Sequence, residues 1–375
     1  MTVNQPSIQH KTAQKTITQD DTEQKNIEQN IKDRYIATFL GCAIGDSLGM
    51  PIEGWKKEQI ERYVGRVTTF LNPVIIKDER TGIRFLKDEY GPLKCYTEDL
   101  KAGEFTDDTL LTIALAESLI ESKRFDLDNV SKHQLAAYES QRQPDGSIKG
   151  GFGRTTADAF KNLKQGIGPS ESGVIGGPGN APAMKISPLG IYMDAKKCYQ
   201  EGLAFAAAVG KITHLDPRSL ANGVVQAHAV YSVLQNISRD ELVDLLVDVC
   251  VKWEKPVTPE FRLYEQGSLH SRLEWIAKHK DASVQEAYDS LHNSYMGFSS
   301  HPFALFMVQK YWDDPITGLI ETVNYGGDCD TTGAMYGAIC GAKNGMIFPT
   351  HLVNGLREKE KLISLGEKMY ALRTI

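Results

Sequence analysis

The chain has 375 residues, 41% hydrophobic and 24% charged, with a formal net charge of −6 and a sequence pI near 5.9. This is the balance of a soluble globular protein, long enough for one large core or two domains. Mild acidity disfavours direct binding to nucleic acid, which calls for a basic footprint.

Residues 1 to 26 are polar, rich in Gln, Thr, Asp and Lys, with Ile8 and Ile17 isolated among them. Such a segment buries too little apolar surface to offset its ordering entropy. It reads as a flexible tail or as an arm that orders on a partner, set apart from a domain spanning 27–375. The opening residues lack the apolar core of a secretory signal. No stretch approaches about 18 uninterrupted apolar residues, so no membrane span is expected. The six cysteines (Cys42, Cys95, Cys198, Cys250, Cys329 and Cys340) include no CxxC pair. That argues against a zinc site and suits a reducing compartment, so a cytoplasmic protein is expected.

From Ile27 the pattern turns helical, with Ile31, Tyr35, Phe39 and Cys42 at three- and four-residue spacing. This helix runs into Gly41, Gly45 and Gly49, four apart, and near the other end of the chain Gly333, Gly337, Gly341 and Gly345 repeat the spacing. Glycine costs about 1 kcal/mol per helical position relative to alanine, so close backbone approach between these two helices is the expected compensation. Further helices are predicted at 109–122, 128–141, 156–164, 200–210, 219–236, 240–253, 283–292, 302–311, 315–323 and 357–371. Gly/Pro-rich loops fall at 144–154 and 169–190. Residues 68–105 are the least helical, with short strands such as 74–76. Strands do not alternate with helices, so the fold class predicted is all-α, a single compact multi-helix domain behind a polar N-terminal extension.

Two acidic clusters precede helices: Thr106-Asp107-Asp108-Thr109 and Asp328-Cys329-Asp330-Thr331-Thr332. Asp and Thr are favoured N-caps, but a cap needs one carboxylate and each cluster carries two. Paired carboxylates repel unless a cation sits between them. Oxygen donors without His or Cys point to Mg²⁺, Mn²⁺ or Ca²⁺, and the EF-hand spacing is absent. Taken alone, the clusters fit either double capping or metal binding.

The stretches GCAIGDSLGMPIEGW (41–55), KAGEFTDDTLL (101–111), GGFGRTT (150–156), GNAPAMKISPLGIY (179–192), THLDPRSLANGVVQAHAVY (213–231) and NYGGDCDTTGAMYGAICGA (324–342) occur in that order. Through them the chain, over roughly 34–371, resembles the ADP-ribosylglycohydrolase family, the all-helical fold of dinitrogenase-reductase-activating glycohydrolase. The resemblance implies two divalent ions, Mg²⁺ with Mn²⁺ as the alternative, on Thr106, Asp107, Asp108, Asp328, Asp330 and Thr331. It also implies that Glu53 acts beside them, so that Glu53, Asp107 and Asp330 are the catalytic candidates, while Asp46 reads as structural. Gly151, Phe152, Gly153, Asn180, Met184 and His214 would line the ADP-ribose cleft.

In such a site the metals orient ribose hydroxyls and lower the pKa of a bound water, Glu53 serves as acid or base, and the bond breaks through an oxocarbenium-like state. The Gly-rich loops offer backbone amides to a pyrophosphate. Two departures stand out. The family often has a Gly/Ala-rich run and an Arg where this chain has Ala181-Pro182-Ala183-Met184-Lys185, which touches substrate positioning. Cys329 stands where Thr is common, and its side chain is expected to point away from the flanking carboxylates. The activity expected is hydrolysis of an ADP-ribosyl bond, to a protein arginine above all. The alternative is an immunity protein whose N-terminal arm blocks a cognate ADP-ribosyltransferase toxin without chemistry.

Overall fold

The computed structural model describes residues 19–258, 261 and 267–373. The tail predicted to be flexible lies largely outside them. The described residues form seventeen α-helices: α1 Gln19–Gly49, α2 Lys57–Tyr63, α3 Asp107–Ser122, α4 Leu127–Ser140, α5 Arg154–Lys164, α6 Ala181–Met184, α7 Ser187–Lys196, α8 Tyr199–Lys211, α9 Pro217–Leu234, α10 Arg239–Trp253, α11 Leu269–Lys278, α12 Val284–Leu291, α13 Gly297–Lys310, α14 Pro315–Asn324, α15 Cys329–Asn344, α16 Thr350–Gly355 and α17 Lys359–Ala371. Two antiparallel two-residue strands, β1 Lys87–Asp88 and β2 Gly91–Pro92, are the sheet structure among them. The fold is all-α, one helical domain.

The two glycine-spaced helices are the axis of the molecule. They run antiparallel, so Gly41 meets Gly337, Gly45 meets Gly333 and Ala37 meets Gly341, backbone against backbone. A Cβ added at Gly333 would lie 2.6 Å from the Gly45 carbonyl oxygen, and the other pairs are tighter still. No side chain fits, which is why both helices carry glycine every fourth residue despite its helix penalty. Gly345 does not belong to this stripe: it is the C-cap of α15 at φ +76°. On another flank of α1, Gly366 of α17 sits where a Cβ would be 2.5 Å from Ile36 Cα.

The structure corrects the sequence reading in several places. α1 starts at Gln19, ahead of Ile27. Averaged over a window, residues 24–52 are long and apolar enough to cross a membrane, although no uninterrupted apolar run exists. The most apolar 18-residue window inside that stretch is wholly buried, and packing in the core accounts for its apolarity. Residues 74–76 form no strand: Val74 N–H donates to the Pro51 carbonyl at 3.4 Å and Leu86 N–H to the Ile76 carbonyl at 2.7 Å, without a ladder. Part of the loop expected at 169–190 is helical, as α6 and the start of α7, each with proline in its first turn. α13 begins at Gly297 and carries Pro302 inside it. The helix expected at 302–311 thus starts five residues earlier, and Pro302, beyond the first turn, forgoes one helical hydrogen bond.

Candidate active site

α1 organises the site from its C-terminal end. The antiparallel pairing brings the start of α15 to the end of α1, where Gly49 packs against the Asp330 backbone. Asp46, on the last turn of α1 and fully buried, reaches the start of α3. Its carboxylate accepts from Thr106 N–H at 3.0 Å, Thr109 N–H at 3.2 Å and Thr109 Oγ1 at 2.6 Å. Asp46 thus adds a second cap to α3 from another helix, in the structural role expected of it. One helix therefore fixes both acidic clusters, and it delivers Glu53 just past its own end.

The paired carboxylates of the clusters make no cap hydrogen bonds. α3 is capped within its own segment by Thr106, whose Oγ1 accepts from Asp108 N–H. α15 starts at Asp328 with no side-chain cap hydrogen bond. Asp328 instead accepts from Asn180 Nδ2, which also reaches Ser300 Oγ at 2.9 Å. Asp330 Oδ1 accepts from Thr331 N–H at 2.8 Å. Asp108 Oδ2 accepts from Thr106 Oγ1 at 3.0 Å and Thr331 Oγ1 at 3.4 Å, joining the two clusters. Asp108 Oδ1 is buried with no hydrogen-bond partner. Carboxylate oxygens of Glu53, Asp328 and Asp330 lie within 4.8 Å of one another. An orphaned carboxylate oxygen beside three clustered hard donors suits a divalent cation coordinated by oxygen.

The turn that presents Asp328 is held from two sides. Gly54 N–H donates to the Gly327 carbonyl and Gly327 N–H to the Trp55 carbonyl, each at 2.7 Å. Asn293 Nδ2 donates to the Gly326 carbonyl at 2.7 Å and to Thr332 Oγ1 at 3.0 Å. Gly326 and Gly327 have φ +75° and +69°, the left-handed backbone that glycine adopts without cost. Cys329 Sγ lies 3.5 Å from the Gly49 carbonyl, turned into α1 and away from the carboxylates.

Burial and mutual repulsion set the electrostatics. Burial, then Asp328 and Asp107, push Glu53 up to about 8. Burial, then Asp46 and Asp328, push Asp107 up to about 8. Asp108 and Asp330 are raised well above the carboxylate range, burial first in each, while burial lifts Asp46 to about 6. These folded-state values exceed the unfolded values near 4. At these carboxylates the metal-free folded chain binds more protons than the unfolded chain between about pH 4 and pH 8, so their contribution to stability falls as pH rises through that window, against a smaller opposite contribution from the buried His214, His228 and His301 below about pH 6.5. Thermal melts in chelator should show a declining Tm from pH 5 to pH 8, and divalent metal should flatten the slope. A metal-free Tm that rises over this range contradicts the assignment.

These groups face a cavity of about 320 Å³. Of the residues predicted for the site, Glu53, Asp107, Asp108, Gly151, Gly153, Asn180, Met184, His214, Asp328, Asp330 and Thr331 line it. Thr106 and Phe152 are not on its wall. Thr106 lies behind Asp108 and acts through its hydroxyl. Phe152 turns onto Tyr138, ring centroids 5.0 Å apart. His214 is buried, its Nδ1 3.0 Å from Thr213 Oγ1, and burial lowers it to about 3, so it is neutral.

Six wall residues are absent from the predicted site: Arg154, Thr155, Thr156, Gly179, Ala181 and Tyr295. The first two open α5, whose N-cap Gly153 has no side-chain cap. Tyr295 is 61% exposed, on the loop whose Tyr295 carbonyl accepts from Asn180 N–H at 3.1 Å. No periodicity marks a loop tyrosine more than a hundred residues from its neighbours in space.

Residues 27–374 match the sequence model of the ADP-ribosylglycohydrolase family. An uncharacterized protein of Archaeoglobus fulgidus is 28% identical over 91% of this chain and 97% of its own. ADP-ribosylhydrolase ARH3 of Homo sapiens is 28% identical over 84% of this chain and 87% of its own. The ADP-ribosyl-[dinitrogen reductase] glycohydrolase of Rhodospirillum rubrum is 24% identical over 84% and 87%. Among solved structures, an ADP-ribosylglycohydrolase-related protein complex superposes with a TM-score of 0.63 at 23% identity, covering 92% of this chain and all of that one. That likeness bears on the fold.

Proposed function

The chain belongs to the ADP-ribosylglycohydrolase family, and on that premise we propose that its acidic cleft takes two Mg²⁺ ions, or Mn²⁺ in their place, and removes ADP-ribose from arginine on a modified protein. It is a hydrolase acting on ADP-ribosyl bonds. The observation that carries the finer reading is the convergence of Glu53, Asp107, Asp108, Asp328, Asp330 and Thr331 on one cavity. Asp107, Asp108, Asp328 and Asp330 would hold the ions with Thr106 and Thr331, and bound there the pair supplies Lewis acidity toward ribose hydroxyls and an attacking water.

The chain's own groups supply the rest. The uncapped first turn of α5 carries free backbone amides at the cleft edge, a helix N-terminus suited to a pyrophosphate, with the exposed Arg154 guanidinium beside it. Tyr295 offers an aromatic face for the base. In the metal-free cleft, burial and the neighbouring carboxylates raise Glu53 to about 8, and we assign it the role of general acid. It donates its proton to the leaving nitrogen as the anomeric C–N bond breaks, then takes one from the water that adds to the carbon.

Arginine-, serine- and base-linked ADP-ribose substrates, each with and without chelator, test the linkage. Chelator-sensitive release from the arginine substrate is expected, and release confined to another linkage overturns it. Tyr295→Ala is expected to raise KM about 10-fold, from the loss of roughly 1–3 kcal/mol of base stacking, with kcat little changed. All six cysteines are free, the state of a reducing compartment, and we assign the enzyme to the cytoplasm.

A second role is compatible with this one: antidote to an ADP-ribosyltransferase toxin that the N-terminal arm blocks. Residues 24–30 of α1 are exposed, at the end opposite the cleft, ~40 Å away along the helix. A metal-site variant should protect against the toxin with the arm and lose protection when residues 2–26 are deleted; unchanged protection rules the block out.

A further inference from the structure

We propose that Lys185 is a positioning residue: through the Thr213 hydroxyl it fixes the tautomer of His214, so that the ring presents an Nε2–H donor to the cleft. Lys185 is fully buried directly behind Met184, which lines the cavity. Its Nζ donates to Gln134 Oε1 at 3.2 Å and to Thr213 Oγ1 at 3.1 Å. Gln134 leaves its own buried Nε2 without a partner. The amide is turned to give its oxygen to a cation, at the cost of an unmade bond.

Thr213 is the junction. A hydroxyl has one proton to give and two lone pairs. An ammonium only donates, so Thr213 Oγ1 must accept from Lys185. Its own proton then has two destinations: the Gly210 carbonyl at 3.5 Å, the limit of a hydrogen bond, or His214 Nδ1 at 3.0 Å. The shorter path makes Nδ1 an acceptor and puts the imidazole proton on Nε2. Nε2 sits against Gly179, where a Cβ would come within 2.6 Å, and both residues line the cavity. Burial lowers Lys185 to about 7 and Asp107 opposes the shift, so the ammonium form that gives the chain its direction holds below that pH. The result is a neutral donor aimed at a ligand oxygen, of the kind that a phosphate or a ribose hydroxyl presents. The identity of that ligand rests on the function proposed above, whereas the tautomer does not.

Long-range ¹H–¹⁵N spectra of ¹⁵N-histidine-labelled protein, without ligand, read the tautomer directly, His214 being assigned by the signal lost in His214→Gln. The expected result is Nε2–H for wild type and a shift to Nδ1–H, or to a mixture, in Lys185→Met and in Thr213→Val. Lys185→Arg, which keeps a cationic donor, should restore Nε2–H. An Nδ1–H tautomer in wild type, a reading that needs no variant to fold, overturns the proposal. So does an unchanged tautomer in a folded Lys185→Met. By calorimetry, Lys185→Met should weaken ADP-ribose binding about 10-fold, the equivalent of one lost hydrogen bond. Absence of ADP-ribose binding by wild type would defeat the functional reading while leaving the tautomer result standing.

Discussion

Asp330→Ala is expected to lower ADP-ribose release by roughly 10³-fold or more, because it removes a carboxylate from the cation site and with it several kcal/mol of transition-state stabilisation. Asp330 is 4% exposed, its oxygen lies within 4.8 Å of those of Glu53 and Asp328, and its ionised form is stable there only beside a compensating positive charge. The metal-free fold should not suffer from the change, since one member of a repelling buried cluster is gone. A variant with near-normal Tm in chelator, no stabilisation by Mg²⁺ and no turnover is the expected combination. Measuring released ADP-ribose alongside melts with and without metal checks both parts. Full activity in Asp330→Ala would exclude the metal reading of both clusters.

Gly337→Ala is expected to destabilise the protein by about 3 kcal/mol or more, although alanine is the better helix former by about 1 kcal/mol. The added Cβ would fall inside contact distance of the Gly41 carbonyl, which is backbone and has no rotamer to change. Only separation of α1 from α15 relieves the clash, and that separation also pulls Asp330 away from Glu53 and Asp46. Loss of activity should therefore accompany loss of stability, at a position far from the cleft wall. Gly168→Ala is the control: nothing lies within 4 Å of its added Cβ, so a change of less than about 0.5 kcal/mol is expected there. Denaturant melts of the two variants separate the cases, and equal stability would refute close backbone contact as the reason for the glycines.

Those glycines carried more of the fold than the hydrophobic pattern did. A penalty repeated every fourth residue in two distant segments has one economical cause, and it names the partner helices. The acidic clusters were legible as two carboxylates where one cap suffices. What the sequence could not disclose was which groups did the capping. Asp46 caps α3 from another helix, 60 residues away, and such a contact has no local signature. The family resemblance puts Phe152 in the cleft, but its ring packs on Tyr138. α7 was hidden in a Gly/Pro-rich stretch because Pro188 and Gly190 look like breakers. Pro188 sits in the first helical turn, where it is tolerated, and Gly190 packs on the Ala227 carbonyl and Val230 of α9. Tyr295 and Lys185 matter through tertiary neighbours alone.

A structure of the protein with Mn²⁺ and ADP-ribose, with anomalous scattering to locate the metal, bears most directly on the cleft. Two anomalous peaks are predicted, ligated by Asp107, Asp108, Asp328 and Asp330, with the pyrophosphate at the start of α5 and the base against Tyr295. ADP-ribose bound with no anomalous peak at these carboxylates, or metal bound there with ADP-ribose elsewhere, would contradict the account.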